Sequence, residues 1–457
     1  MAQANNQIDF YAVVLKFQGG AIQIRSSIDT ISPTKSNSYR IFCRDLGGAT
    51  ADIKIFVLQD RPQNMDKCIL HYQHAPGHTI NARDLAFILV PPAPSANKAS
   101  YAIELSVSGD RECQKLGTAY IYLDPKYSTQ GTQRMQIVSS QGSKSIGQLQ
   151  IDYLIIKNPF AYGLSVPLPE WISRAAQLDA GHRGSGSGCR ADLPGSITEN
   201  TVASFNYAAR HGADMCELDV MCTSDGIPIV YHNYTLDISK SKASQIDQLT
   251  LKELRAMSNM AVHDENCKHN LENSPVNGLD IGSPFPTLEE VLEQVDPVCG
   301  LNIELKWPQM LPNGKTEATH YREINDYVDR ILSCINEYSK GRHIVLSTLN
   351  SDIAIMLRLK QSRYPVLFLT TGDSQRFNDP TTKSVMNAIH FASAFDMAGV
   401  NPNAAMLSED LVRYAHHHGL LVYAWGKIES AQAIRELRRY GVDGIIYDKI
   451  DLIKPQE

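Results

Sequence analysis

Two different rhythms of apolar and polar residues divide the chain. Over residues 1–157, apolar and polar positions alternate in short runs such as Ala51-Asp-Ile-Lys-Ile-Phe-Val-Leu58, Tyr101-Ala-Ile-Glu-Leu-Ser-Val-Ser108 and Gln148-Leu-Gln-Ile-Asp-Tyr-Leu-Ile-Ile156. Successive side chains of a strand point to opposite faces, so a period of two marks strands with one buried face. Turn residues separate about seven or eight such runs, and helical periodicity is nearly absent. The pattern predicts an antiparallel β-sandwich. Residues 158–174 carry Pro159, Pro167 and Pro169 and read as a linker.

From residue ~175 onward the rhythm changes, and apolar runs alternate with helical patterns. Strand-like runs fall at 177–182, 214–220, 227–232, 301–306, 343–347, 366–370, 420–425 and 443–447, with a weaker ninth at 398–401. Helical stretches lie between many of them, at 201–211, 288–295, 324–338, 352–361 and 430–440. Ser196-x-x-Glu199, Thr250-x-x-Glu253 and Thr287-x-x-Glu290 have the spacing of a capping box. Alternating β and α elements with buried strands predict a parallel α/β fold, and eight strands suit a closed (β/α)8 TIM barrel. The stretch 234–299 is too long for a simple crossover and predicts an inserted lobe beside the site.

Composition narrows the function. A formal charge of −6 and a pI near 6.2 leave no broad basic surface for nucleic acid, while a small anionic substrate needs only local cations. The N-terminal residues have no basic and apolar stretch of the secretory kind, and no run approaches the roughly 18 apolar residues of a membrane span. Nine cysteines at irregular spacing, without a Cys-x-x-Cys pair, argue against zinc and against a disulfide framework. The expectation is a reduced, cytoplasmic protein.

The ends of four strand-like runs carry ionisable side chains where a buried run would be apolar. His182-Arg183-Gly184 follows the first, and Glu217 and Asp219 share one face of the second. His232 closes the third, and Glu304 and Lys306 repeat the two-apart spacing on the fourth. In a parallel barrel these ends form the active face. Three clustered carboxylates repel one another unless a cation sits among them, and all-oxygen ligands favour Mg²⁺, with Ca²⁺ as the other choice. Two histidines can supply acid and base, while Arg183 and Lys306 can neutralise a phosphate.

Read in order, Gly181-His-Arg-Gly184, Glu199-Asn-Thr201, Gly212-Ala-Asp-x-x-Glu-x-Asp-Val220, Thr223-x-Asp-Gly226 and His232 resemble the glycerophosphodiester phosphodiesterase family. Asn302-Ile-Glu-Leu-Lys306 resembles its metal-bearing strand, and Gly441-Val-Asp-Gly-Ile-Ile-Tyr-Asp448 its closing strand. Ile344-Val-Leu-Ser347, Tyr364-Pro-Val-Leu-Phe-Leu-Thr370 and Ala424-Trp-Gly426 are similar to the eukaryotic cytosolic branch acting on glycerophosphocholine. The resemblance implies His182 and His232 as the acid–base pair; independently of it, we take His182 as base and His232 as acid. It implies Glu217, Asp219 and Glu304 as metal ligands, Arg183 and Lys306 on the phosphate, and Trp425 lining the pocket. Asn233 stands where the family usually has Asp, and Gly426-Lys-Ile where many members have Thr-Val-Asn.

Other features have blander readings. Glu199 suits a helix start, His416-His-His418 before Gly419 suits a helix C-terminus, and Cys189, Cys216 and Cys222 suit packing. All three tryptophans (171, 307, 425) lie outside residues 1–157, which weakens a carbohydrate-binding role for that domain. A C2-like domain, a protein- or lipid-binding domain and a scaffold are the other readings. The expected reaction is hydrolysis of a glycerophosphodiester to glycerol 3-phosphate and an alcohol, attacked by water or a glycerol hydroxyl. Alternatives are a lysophospholipase D with an apolar acyl channel, and a catalytically silent scaffold.

Overall fold

The computed structural model describes residues 10–17, 20–24, 38–47, 52–59, 69–75, 77–81, 83–94, 99–108, 113–160, 168–174, 177–193, 196–239, 242–261, 284–319, 322–373 and 375–455. Two compact units result, one holding Met1–Leu164 and the other Ser165–Arg358 with Ser362–Glu457.

The first unit is antiparallel throughout its described pairings. Apart from Ile22–Ile24, which pairs off it with Ser145–Lys157, its strands follow one hydrogen-bonded path, which narrows to two registered pairs, Val138↔Thr118 and Ser139↔Gly117. Alternate residues of both halves enter a common core: Val13, Leu15 and Phe17 from one, Ile41, Ile103 and Ile121 from the other. The period-two pattern is therefore real, and burial of one face of each strand holds the unit together.

In the second unit eight parallel strands close a barrel. They are β1 (Leu178–Gly181), β2 (Met215–Cys222), β3 (Gly300–Leu305), β4 (Ile344–Thr348), β5 (Val366–Thr370), β6 (Gly399–Pro402), β7 (Leu421–Trp425) and β8 (Gly444–Tyr447). Each pairs with the next in sequence, and β1 pairs with both β2 and β8. Apolar residues fill most positions on these strands because both faces are covered.

Eight strands were expected, but not this set. The run at 227–232 pairs antiparallel with β2 through Pro228–Val230 and lies outside the ring, and the weaker run at 398–401 supplies β6. Periodicity reports burial, and an antiparallel strand folded back on the barrel is as apolar as a barrel strand. Beyond it, Thr235–Ser239 and Lys242–Gln245 form a hairpin followed by a helix at Leu251–Ala261.

Thr250/Glu253 and Thr287/Glu290 form reciprocal caps. The helix Val202–Arg210 instead starts on Thr201, which leaves Glu199 for another use. The histidine triple lies at the end of the helix Glu409–His417, with His416 bound to Asp443 at 2.9 Å. Among the described residues no helix is long and apolar enough to cross a membrane. Among the described residues six cysteines are free thiols, but Cys189 is disulfide-bonded, against the reduced state expected.

Arg342 gives a test of the barrel's stability. Its buried guanidinium donates to the carbonyls of Asp296 and Cys299 (both 2.6 Å) and Val295 (2.7 Å), closing the end of the helix Leu288–Gln294. Arg342→Leu strands those acceptors away from water and is expected to cost about 3 kcal/mol. Urea unfolding followed by tryptophan fluorescence reads the loss; a change below about 1 kcal/mol would show the bonds are replaceable.

Candidate active site

The carboxyl ends of β1, β2, β3 and β8 converge on one cavity of ≈ 750 Å³. His182 and Arg183 leave β1 in a sharp turn. Arg183 has φ 48° and Gly184 φ 88°, a left-handed pair that swings the Arg183 backbone N–H onto Glu217 Oε2 at 3.0 Å. A side chain at Gly184 would also meet Ser204 Oγ, 2.5 Å from where its Cβ would stand. Glu217 and Asp219 share one face of β2, and their register partners on β3 are Asn302 and Glu304. The two-apart spacing on neighbouring parallel strands thus places three carboxylates together, with ligand oxygens within 4.8 Å of one another.

These groups have unequal charge partners. Lys306 Nζ lies 3.4 Å from Asp219 Oδ1 and 3.5 Å from Glu304 Oε1. Arg183 Nε is 3.4 Å from Asp219, its Nη1 donates to Glu199 at 3.0 Å, and Asn200 Nδ2 donates to Asp219 at 2.9 Å. Although burial opposes ionisation, Lys306, His232 and Arg183 hold Asp219 well below the usual carboxylate range. Glu217 has weaker partners, the Arg183 N–H and His182 Nε2 at 3.9 Å, and burial, then Asp219's charge, push its carboxyl up to about 8. Burial likewise raises Glu304, against the pull of Lys306. The cluster is short of positive charge, and its all-oxygen donor set fits a hard divalent cation.

Both histidines line the same cavity, each with its Nδ1 held from outside. His182 Nδ1 bonds Asp448 Oδ1 at 2.7 Å, and Ser187 Oγ lies 3.1 Å from the same nitrogen. His232 Nδ1 bonds Asn233 Oδ1 at 2.7 Å. Nε2 is thereby the atom each ring leaves for chemistry, and that of His182 lies 3.9 Å from Glu217. Their basicities diverge. Burial lowers His182, but the bond to Asp448 and the charge of Glu217 outweigh it and raise its pKa. Burial dominates at His232; Asp219 raises it, Lys306 and Arg183 lower it further, and the result is a depressed value.

Trp425, at the end of β7, is half-buried and donates its indole N–H to the carbonyls of Asn401 (3.0 Å) and Thr370 (3.2 Å), so its ring borders the cavity without a free donor. All eight residues singled out from the sequence therefore line one cavity. Glu199 was read as a cap and instead clamps Arg183. The roles of Asp448, Asn200 and Ser187 were not anticipated. Asp448 stood in the closing-strand motif, yet nothing in one dimension shows that closure brings residue 448 to residue 182.

The model of the glycerophosphoryl diester phosphodiesterase family matches residues 182–452. The chain belongs to this family. The glycerophosphocholine phosphodiesterase of Rattus norvegicus is 32% identical over 346 residues, 70% of this chain and 51% of its own length. Its Homo sapiens counterpart is 31% identical over 373 residues, 75% of this chain and 55% of its own. The chain thus spans about half the length of these curated relatives. A phosphodiesterase of Oleispira antarctica, solved in complex with the product sn-glycerol-3-phosphate, is 19% identical with a TM-score of 0.46, covering 62% of this chain and 96% of that one.

Proposed function

We propose that this member of the glycerophosphodiester phosphodiesterase family hydrolyses glycerophosphodiesters in a metal-dependent reaction, glycerophosphocholine giving glycerol 3-phosphate and choline. The observation that carries the reading is one cavity bordered by two histidines, each with Nδ1 already engaged, and by an under-neutralised triad of carboxylates. Glu217, Asp219 and Glu304 would hold the cation, Mg²⁺ by the hardness of the donors, and when bound it supplies charge to polarise the phosphoryl group. Arg183 and Lys306 set positive charge beside it, and Trp425 borders the substrate space.

The protein's own groups handle the protons. Asp448 is a charged acceptor and favours an imidazolium at His182, while neutral Asn233 fixes the ring of His232 without favouring its charge. His232 therefore suits the base and His182 the acid, the reverse of the order set out from the sequence. The oxygen of a water bonds to phosphorus as its proton passes to His232 Nε2; where the substrate's glycerol hydroxyl attacks instead, the cyclic phosphate that forms is opened to glycerol 3-phosphate by a water in a second step. The phosphorus–oxygen bond to the head group breaks, and His182 Nε2 gives its proton to the departing alcohol.

The direct test is choline release from glycerophosphocholine with Mg²⁺, with EDTA, and with Mg²⁺ restored after EDTA. Turnover is expected to fall by at least about 100-fold in EDTA and to return with the metal. Full activity in EDTA would sink the metal assignment. Turnover of long-chain lysophosphatidylcholine but of no water-soluble diester would replace the substrate class.

A further inference from the structure

The cavity lining includes a carboxylate, Glu317, that the reaction above does not use. After Lys306 the chain turns through a small hairpin: Leu311 N–H donates to Lys315 O at 2.7 Å and Glu317 N–H to Gln309 O at 3.0 Å. Met310 and Thr316 bridge it, and Asn378 N–H donates to Met310 O at 2.8 Å, stitching it to the loop that presents Phe377. Glu317 is held at the hairpin's base, its Oε2 accepting the Gln309 N–H at 2.9 Å.

No lysine, arginine or histidine pairs with Glu317 among the described residues. It lines the same cavity as Tyr234 and Lys306. Lys306 is already committed to Asp219 and Glu304. Two further cations border the cavity: exposed Arg376 lies over Phe377, and exposed Lys427 is paired with Glu429 at 3.4 Å. The cavity is also lined by Tyr234, whose ring centroid lies 5.8 Å from Lys306 Nζ, and by Trp307 and Phe377, both buried. An anchored carboxylate without a cation, among electron-rich rings, is the chemistry that holds a cation lacking N–H donors.

We infer that Glu317, with Tyr234, Trp307 and Phe377, forms the subsite that selects a cationic head group, a quaternary ammonium above all. The inference rests on the phosphodiesterase reading and assigns its leaving-group specificity. Glu317 acts on the ground-state ammonium and not on phosphorus, so its effect belongs in KM and in the ratio between substrates.

The test is Glu317→Gln, which keeps an acceptor for the Gln309 N–H and removes only the charge. Activity on glycerophosphocholine should fall about tenfold in kcat/KM, mostly through KM, with glycerophosphoglycerol changed less than about twofold. Choline should bind the wild-type protein about tenfold better than its uncharged carbon isostere 3,3-dimethylbutan-1-ol, read by calorimetry, and the variant should lose that difference. Equal losses on both diesters, or a choline preference that survives the substitution, would overturn the subsite. If the wild-type protein hydrolyses no glycerophosphodiester, the phosphodiesterase reading fails, while the calorimetric comparison still decides whether Glu317 reads a cation.

Discussion

Substituting His182 by alanine is expected to lower kcat on glycerophosphocholine by about 10³–10⁴-fold while leaving KM within a few-fold of the wild-type value. In the proposed reaction the ring supplies the proton for the departing alcohol, and no other described residue presents a comparable donor from β1. Loss of an acid or base that acts in the transition state alone lowers kcat and kcat/KM together, which is the signature to look for. Asp448→Asn separates proton control from simple occupancy. Its bond to His182 at 2.7 Å can persist, but the neutral amide no longer favours the imidazolium. His182 then loses its proton at lower pH, so the alkaline limb of the kcat/KM profile moves to lower pH. A profile unchanged in Asp448→Asn, or His182→Ala retaining more than about a tenth of the wild-type kcat, would remove His182 from the acid role.

Glu217→Gln is expected to act in opposite directions on activity and stability. Of the three proposed ligands this carboxylate has the least positive compensation, so its loss should lower Mg²⁺-dependent turnover by about 10³-fold. The sign for stability follows from its titration. Glu217's carboxyl lies near 8 in the folded chain against about 4.5 when solvated, so folding takes up a proton. Metal-free stability is full below about pH 4.5 and declines as pH rises toward 8. Glutamine removes that titration and still accepts the Arg183 N–H. At pH 7.5 without metal the variant should be about 2 kcal/mol more stable than the wild type, and near pH 4.5 the gain should vanish. Mg²⁺ should raise the wild-type melting temperature and leave the variant's unchanged. A metal-free variant no more stable than wild type at pH 7.5 would mean Glu217 is not held neutral. A variant still stabilised by Mg²⁺ would place the cation elsewhere.

Both expectations trace to residues readable in one dimension, because the motif spacings are short. Glu217 and Asp219, or Glu304 and Lys306, are two apart on single strands, and strand geometry alone sets each pair on one face. His182 next to a left-handed Arg183-Gly184 turn is equally local. The sequence therefore revealed the triad, the two histidines and the alternating β/α plan.

The misreadings were longer in range. An apolar run at 227–232 has the same period whether it joins a barrel or folds back antiparallel on β2, so β6 was underrated and Pro228–Val230 overrated. Glu199 has the spacing of a cap, and only the turn after β1 brings Arg183 Nη1 to it at 3.0 Å. Glu317 has no distinguishing pattern in a polar loop, and only the hairpin's closure and its stitch to residue 378 fix it in a cavity lining shared with Tyr234, Trp307 and Phe377.

The division has a physical reason. Side-chain alternation and charge are properties of neighbouring residues, so the chain by itself determined which groups the proposed chemistry draws on and which segments display them. Barrel closure joins residues hundreds of positions apart, and it decided the proton asymmetry between His182 and His232. Asp448 meets His182 across 266 residues, whereas Asn233 adjoins His232 directly. The long contact sets a charged partner against one ring, the short one leaves a neutral partner on the other, and only the tertiary structure puts both rings on one cavity.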